Sequence, residues 1–155
     1  MQLAPFVATP PDVALQMLIQ AELKPGEIVY DLGSGDGRVV IMAAQEFGAA
    51  AVGIELSKYL VKRALQKVSD LHLENRVKIV NDDLFRIDTS SADVVTLYLT
   101  TSANKKVRPK LEDELEPGTR IVSHNYEMPG WKPYKIIKVQ TFQHQPHTIY
   151  VYRRG

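Results

Sequence analysis

The stretch Asp31-Leu32-Gly33-Ser34-Gly35-Asp36-Gly37-Arg38 carries the densest chemical signal in the chain. Its three closely spaced glycines let backbone approach a ligand and tolerate positive φ. An apolar, β-branched run, Ile28-Val29-Tyr30, leads in, and a helical pattern leaves near Arg38. Strand, glycine turn and helix mark the point where an open α/β sheet binds a nucleotide-like ligand.

Residues around the loop narrow the ligand. Glu55 follows Gly33 by about 20 residues and closes a second short strand, Ala51-Val52-Gly53-Ile54-Glu55. A carboxylate there can accept from both ribose hydroxyls. The dinucleotide fingerprint Gly-x-Gly-x-x-Gly fails, because Arg38 stands at its last glycine. Asp31 and Asp36 bracket the loop and would repel a pyrophosphate. No Gly-Lys-Ser/Thr follows, which excludes a Walker loop. A ribose with positive charge and no phosphate fits this set, and S-adenosylmethionine is such a molecule. Asp82 and Asp83, with Leu84 behind them, follow the third strand, and Asp83 is placed to accept from an adenine amino group. Asn81-Asp82-Asp83 also makes good turn chemistry by itself.

The elements that must position these groups alternate. Thr9-Pro10-Pro11-Asp12 reads as a helix start with Thr9 as cap and Pro10 in the first turn. Strands are expected at about 27–32, 51–55, 76–80, 93–99 and 120–123. Helices follow from Arg38 to Gly48, from Ser57 to about Leu71, and over about 103–115, where Pro109 delays or bends the start. The link 81–91 is too interrupted for a clear helix. Lys135–Phe142 and Thr148–Tyr152 alternate and close the pattern as a hairpin, with His144 and His147 in its turn as surface residues. The expected fold is α/β: a Rossmann-like, doubly wound sheet of parallel strands, to which the hairpin adds an antiparallel one. One domain is expected over 1–155, with an N-terminal segment and helix over 1–26 and the cofactor-binding sheet over 27–155.

Composition excludes several classes. The 155 residues are 45% hydrophobic and 24% charged, with net charge +1, so no global field marks the chain for nucleic acid. Cysteine is absent, which removes disulfides, thiolate metal sites and a cysteine nucleophile. No apolar run reaches membrane length and no secretory signal is visible, so the cytoplasm is the expected location. Two basic clusters, Lys58/Lys62/Arg63/Lys67 and Lys105/Lys106/Arg108/Lys110, read as solvated helix faces.

The loop 31–38 together with Gly53-Ile54-Glu55 resembles motif I and the acidic loop of class I S-adenosylmethionine-dependent methyltransferases. Pro5-Phe6-Val7-Ala8-Thr9-Pro10, the run Lys110-Leu111-Glu112 through Ser123-His124, and Gly130-Trp131-x-Pro133 resemble a narrower group. That group is the small archaeal protein-lysine methyltransferases and the mitochondrial lysine methyltransferases of the ATP synthase c subunit. The resemblance runs from about Pro5 to Tyr152. It implies seven strands with one antiparallel, S-adenosylmethionine as cofactor and S-adenosylhomocysteine as product. It implies Asp31, Gly33, Ser34 and Gly35 at the methionine end, with Asp36 and Gly37 completing the loop. It places Glu55 on the ribose, Asp82, Asp83 and Leu84 at the adenine, and Thr9 within reach of the cofactor. Phe6 stands where archaeal relatives have tyrosine, and Asn125 where some relatives have an acid.

The methyl acceptor is less determined. Lacking cysteine, the chain cannot methylate cytosine C5 by covalent attack. Leu97-Tyr98-Leu99-Thr100 replaces the Asn/Asp-Pro-Pro-Tyr/Phe signature of exocyclic-amine methylation. Tyr98, Leu99, Thr100, Ser123, His124, Asn125, Tyr126 and Trp131 follow the fourth and fifth strands and are candidates to line the acceptor site. His124 is a candidate base or a structural histidine. Nearly the whole chain is consumed by the cofactor fold, which suits a lysine projecting from a protein substrate. RNA, a small molecule, or cofactor binding without turnover are the alternatives.

Overall fold

The computed structural model describes residues 7–141 and 145–155. Chain order is α1 (Pro11–Gln20), β1 (Ile28–Leu32), α2 (Arg38–Phe47), β2 (Ala50–Glu55), α3 (Lys58–Asp70), β3 (Val77–Asn81), a 3-10 turn (Leu84–Arg86), β4 (Val94–Leu97), α4 (Thr101–Glu114), β5 (Arg120–His124), β6 (Lys135–Gln140) and β7 (Pro146–Arg153). Seven strands form one sheet in the order β3-β2-β1-β4-β5-β7-β6. β7 alone runs against the others: it is antiparallel to both β5 and β6. The strand order reverses at β1, between β2 and β4, which is where such sheets open a ligand crevice.

Two apolar layers hold the sheet. Val13, Met17 and Leu18 of α1 and Val40, Ala43 and Ala44 of α2 pack with Val29, Val94, Val122 and Val151 on one face. Val107 and Leu111 of α4 pack with Val95, Leu97, Ile121 and Tyr152 on the other. β4 is buried on both sides, as its unbroken apolar run predicts. Arg120 ties α1 to the sheet: it donates to the Ala21 carbonyl at 2.9 Å and to Glu27 at 2.6 and 3.1 Å. No helix among the described residues is long and apolar enough to cross a membrane.

Several local expectations change. Thr9 does not cap α1; Pro10 occupies the cap position and the Thr9 hydroxyl is engaged elsewhere. β4 ends at Leu97, because its ladder with β1 and β5 ends at Leu32 and Ser123. Tyr98 and Leu99 thereby leave the strand, and Thr100 caps α4 through the Ala103 N–H at 3.1 Å. α4 therefore starts earlier than expected and runs through Pro109. Ser57 caps α3 as predicted, accepting from Leu60 N–H. The link 81–91 holds only the 3-10 turn, where the Asp83 carboxylate accepts from Phe85 N–H at 3.0 Å. His147 is not a surface residue: it is half-buried and bonded to His124. Phe6, Phe142 and His144 lie outside the described residues.

Candidate functional site

A cleft opens at the ends of β1, β2 and β4. Thr9, Asp31, Gly33, Ser34, Asp36, Glu55, Asp82, Asp83, Leu84 and Tyr98 all line it. Its non-atom space, open mouth included, is about 850 Å³.

The glycine loop is clamped to β2. The N–H groups of Gly33 and Ser34 both donate to the Ile54 carbonyl at 2.9 Å. Glu55 supports the loop from below: its Oε1 accepts the Gly35 N–H at 2.8 Å and its Oε2 the Ser57 N–H at 2.9 Å. Each carboxylate oxygen keeps capacity for a further donor. Gly33 has φ +84°, and a Cβ there would lie 3.0 Å from Leu99 Cδ2. Gly37, at φ +87°, does not line the cleft; a Cβ on it would lie 3.0 Å from Ala64 Cβ, so it seats the loop on α3.

Charge in the cleft is sorted. Asp36 is not free to meet a ligand's positive charge, because Arg38 binds it at 2.8 Å and Lys67 at 3.0 Å. The Arg38 guanidinium, with Lys67 beside it, holds the Asp36 carboxyl well below the usual carboxylate range against its own burial. Asp31 has the opposite environment. Burial pushes it up to about 7, although Thr96 Oγ1 donates to it at 2.8 Å; the nearby Glu55 adds to the rise. A cationic ligand beside Asp31 would favour its ionised form. Asp82 accepts the Asp83 N–H at 2.7 Å, and Asp83 is turned into its 3-10 cap.

The acceptor candidates divide between two faces. Tyr98 lines the cleft and rests on His124, ring centroids 3.8 Å apart, with Tyr126 near-parallel at 6.2 Å. Asn125, at φ +66°, accepts the Thr148 N–H at 2.9 Å. Ser123 and Trp131 do not reach the cleft. Ser123 alternates to the α4 face, where it accepts from Asn104 at 3.2 Å and donates to the Tyr126 carbonyl. Trp131 donates to Glu112 at 2.9 Å and packs edge-on to Tyr152 at 5.7 Å. His124 is buried behind Tyr98 and bonded to Thr9 and His147; burial, with His147 adding, brings its pKa down to about 3.

Sequence reasoning missed Arg38 and Thr96. Arg38 lines the cleft and donates to the Thr9 carbonyl at 3.2 Å, fastening the N-terminal segment over the site. Thr96 was readable in principle as the polar residue in an otherwise apolar buried strand. It faces Asp31 across the β1–β4 ladder.

The set fits S-adenosylmethionine. Ser34 Oγ is buried without a hydrogen-bond partner among the described residues, an open polar atom at the glycine loop. With Asp36 neutralised, Asp31, Glu55, Asp82 and Asp83 remain as cleft carboxylates, suited to a ribose and a cation and hostile to pyrophosphate. Sheet order and cleft together define a class I S-adenosylmethionine-dependent methyltransferase. The pattern of the ANTKMT methyltransferase domain matches residues 31–135, and the chain belongs to that family. It is 44% identical over 152 residues to a protein-lysine N-methyltransferase of Saccharolobus islandicus, covering 97% of this chain and 94% of that protein. It is 33% identical to the mouse adenine nucleotide translocase lysine N-methyltransferase, over 74% of this chain and 49% of the mouse protein. A solved structure of an RNA methyltransferase from Salinibacter ruber, in complex with S-adenosyl-L-homocysteine, superposes with TM-score 0.91 at 41% identity, covering 96% of this chain and 94% of that one.

Proposed function

We propose that this S-adenosylmethionine-dependent methyltransferase transfers methyl groups to lysine side chains of proteins. The observation that carries the reading is the near full-length similarity to the archaeal protein-lysine N-methyltransferase. The open cleft supports it, since a side chain borne by a large substrate needs only a rim to rest on. Tyr98 lines the cleft and supplies part of that rim, with Tyr126 beside it. The reading takes 1–155 as a single domain acting in the cytoplasm on its protein substrates.

In this reading Glu55 accepts from the ribose hydroxyls, Asp82, Asp83 and Leu84 frame the adenine, and Asp31, Gly33 and Ser34 hold the methionine end. Gly35, Asp36 and Gly37 shape the loop from behind. When bound, the cofactor supplies a methyl group already activated by its sulfonium. The protein then has to orient an acceptor nitrogen and exclude water. A lysine ammonium, with a free pKa of about 10.4, must also lose a proton first. Tyr98 gives the cleft an aromatic wall that lowers that pKa by desolvation.

A second reading, RNA methylation, is favoured by the Salinibacter structure. Incubation with methyl-labelled cofactor and separate protein and RNA fractions of a lysate distinguishes them. Methyl-lysine recovered from hydrolysed protein is the expected result. Label found only in RNA overturns the lysine assignment.

A further inference from the structure

We propose that Thr9, His124 and His147 form a proton relay that carries the acceptor amine's proton from the cleft to the surface at the start of β7. The inference rests on the lysine reading, because a lysine enters as an ammonium and must be neutral to attack.

Three observations build it. Thr9 lines the cleft, and its hydroxyl is 3.2 Å from His124 Nδ1. His124 Nε2 is 2.7 Å from His147 Nδ1. At that distance one ring nitrogen donates its N–H and the other, bare, accepts it. His124 is fully buried, while His147 is half-buried near the start of β7, so the chain runs from site to solvent. Every link then has an alternating donor and acceptor. Tyr98 stacks on His124 and keeps its orientation, and Arg38 holds Thr9 in place through its carbonyl at 3.2 Å. Among the described residues, the titratable or charged groups facing the relay are Tyr98, Tyr126 and Arg38. Burial keeps His124 neutral throughout the working range, so it passes a proton on rather than storing one.

In the productive tautomer Thr9 donates to His124 Nδ1 and His124 Nε2–H donates to His147 Nδ1. The ammonium N–H bond breaks, its electron pair stays on nitrogen, and Thr9 Oγ1 takes the proton. Thr9's own proton passes to His124 Nδ1, and the Nε2 proton passes to His147 Nδ1. His147 releases its Nε2 proton to water. One proton leaves the amine and one reaches solvent.

The test is single-turnover methyl transfer to a lysine peptide from pH 6 to 10, with Thr9→Val, Thr9→Ser and His147→Gln. At pH 7 Thr9→Val and His147→Gln are expected to be slower by about tenfold or more, up to the roughly 10²–10⁴-fold of general acid–base effects. The deficit shrinks towards pH 10, where the free amine is already present. Thr9→Ser, which keeps the hydroxyl, stays within about threefold of wild type, and His147→Gln binds S-adenosylhomocysteine within about twofold. A deficit that is absent, or equal at every pH, or not rescued by serine, overturns the relay while wild-type activity leaves the lysine reading standing. Wild-type protein that transfers nothing to lysine at any pH overturns both.

Discussion

Gly53, inside β2, faces Ser34 where the glycine loop rests on that strand, and a Cβ built on Gly53 would lie 2.6 Å from Ser34 Oγ. The loop can sit on β2 only because position 53 has no side chain. Gly53→Ala should push the loop off its Ile54 carbonyl anchor. Overpacking of this kind costs about 1–3 kcal/mol, read as a lowered Tm. Because Ser34 lines the cleft, S-adenosylhomocysteine affinity measured by calorimetry should fall as well.

Glu55 anchors the loop and is the proposed ribose acceptor. Glu55→Ala removes the acceptor of the Gly35 and Ser57 N–H groups as well as that proposed contact. Hydrogen bonds to a charged group contribute roughly 1.5–3 kcal/mol each. Cofactor affinity should drop by about tenfold to several hundredfold, and an unchanged affinity in a calorimetric titration would contradict the ribose assignment.

Asp31, proposed to meet the cofactor's positive charge, carries a stability cost at neutral pH. Its folded pKa, pushed up to about 7, lies above the unfolded value near 3.8. The folded state therefore favours the protonated acid. Stability is greatest below the unfolded pKa, falls as pH rises from about 4 to 7, and levels off above that. Asp31→Asn removes the titration and should raise the Tm of ligand-free protein at pH 8, while leaving little difference near pH 3. Cofactor affinity should weaken, since a neutral amide cannot match a cation. Thermal scans with and without S-adenosylmethionine across that pH range would show both effects.

Asp36 has the reverse sign. Its folded pKa is depressed, so its contribution is present above the unfolded value and is lost as pH falls through the folded one. Asp36→Asn should destabilise the protein at pH 7 by roughly 1–3 kcal/mol, a figure discounted because Arg38 and Lys67 are partly exposed. The gap to wild type should narrow steadily below about pH 4 in denaturant titrations.

Arg120 provides a control remote from the chemistry. It joins α1 to the sheet through Ala21, Glu22 and Glu27. Arg120→Ala should lower stability by about 2–4 kcal/mol, since it strands partners that are partly buried. In folded protein at low temperature, kcat should stay near wild type.

That most of the cofactor candidates would line one cleft was readable because they are local in sequence. Asp31 to Arg38 is contiguous, and Glu55 is fixed by one strand-helix-strand unit. The helices announced themselves through caps such as Ser57 and through apolar stripes. Long-range partnerships were not readable. Nothing in residue order shows that Lys67 and Arg38 would neutralise Asp36, although both were in view as charges. The acceptor side failed for a related reason. Alternation along β5 sends Ser123 and His124 to opposite faces, and only the sheet's neighbours decide which face meets the cleft. His147 looked like a turn residue until β7 folded beside β5 and brought it to His124.

The position of β7 also governs the order in which the molecule can be completed. This strand, the last of the seven along the chain, is an interior one, lodged between β5 and β6. A ribosome that has made everything up to Gln140 has delivered six strands. Until residues 146–153 emerge, β5 still presents a bare hydrogen-bonding edge and β6 has no partner. Such unpaired edges are the surfaces on which chains aggregate. The Thr9–His124–His147 chain, too, lacks its outer member until then. Assembly of the sheet and completion of this histidine pair are one event, timed by the end of the hairpin.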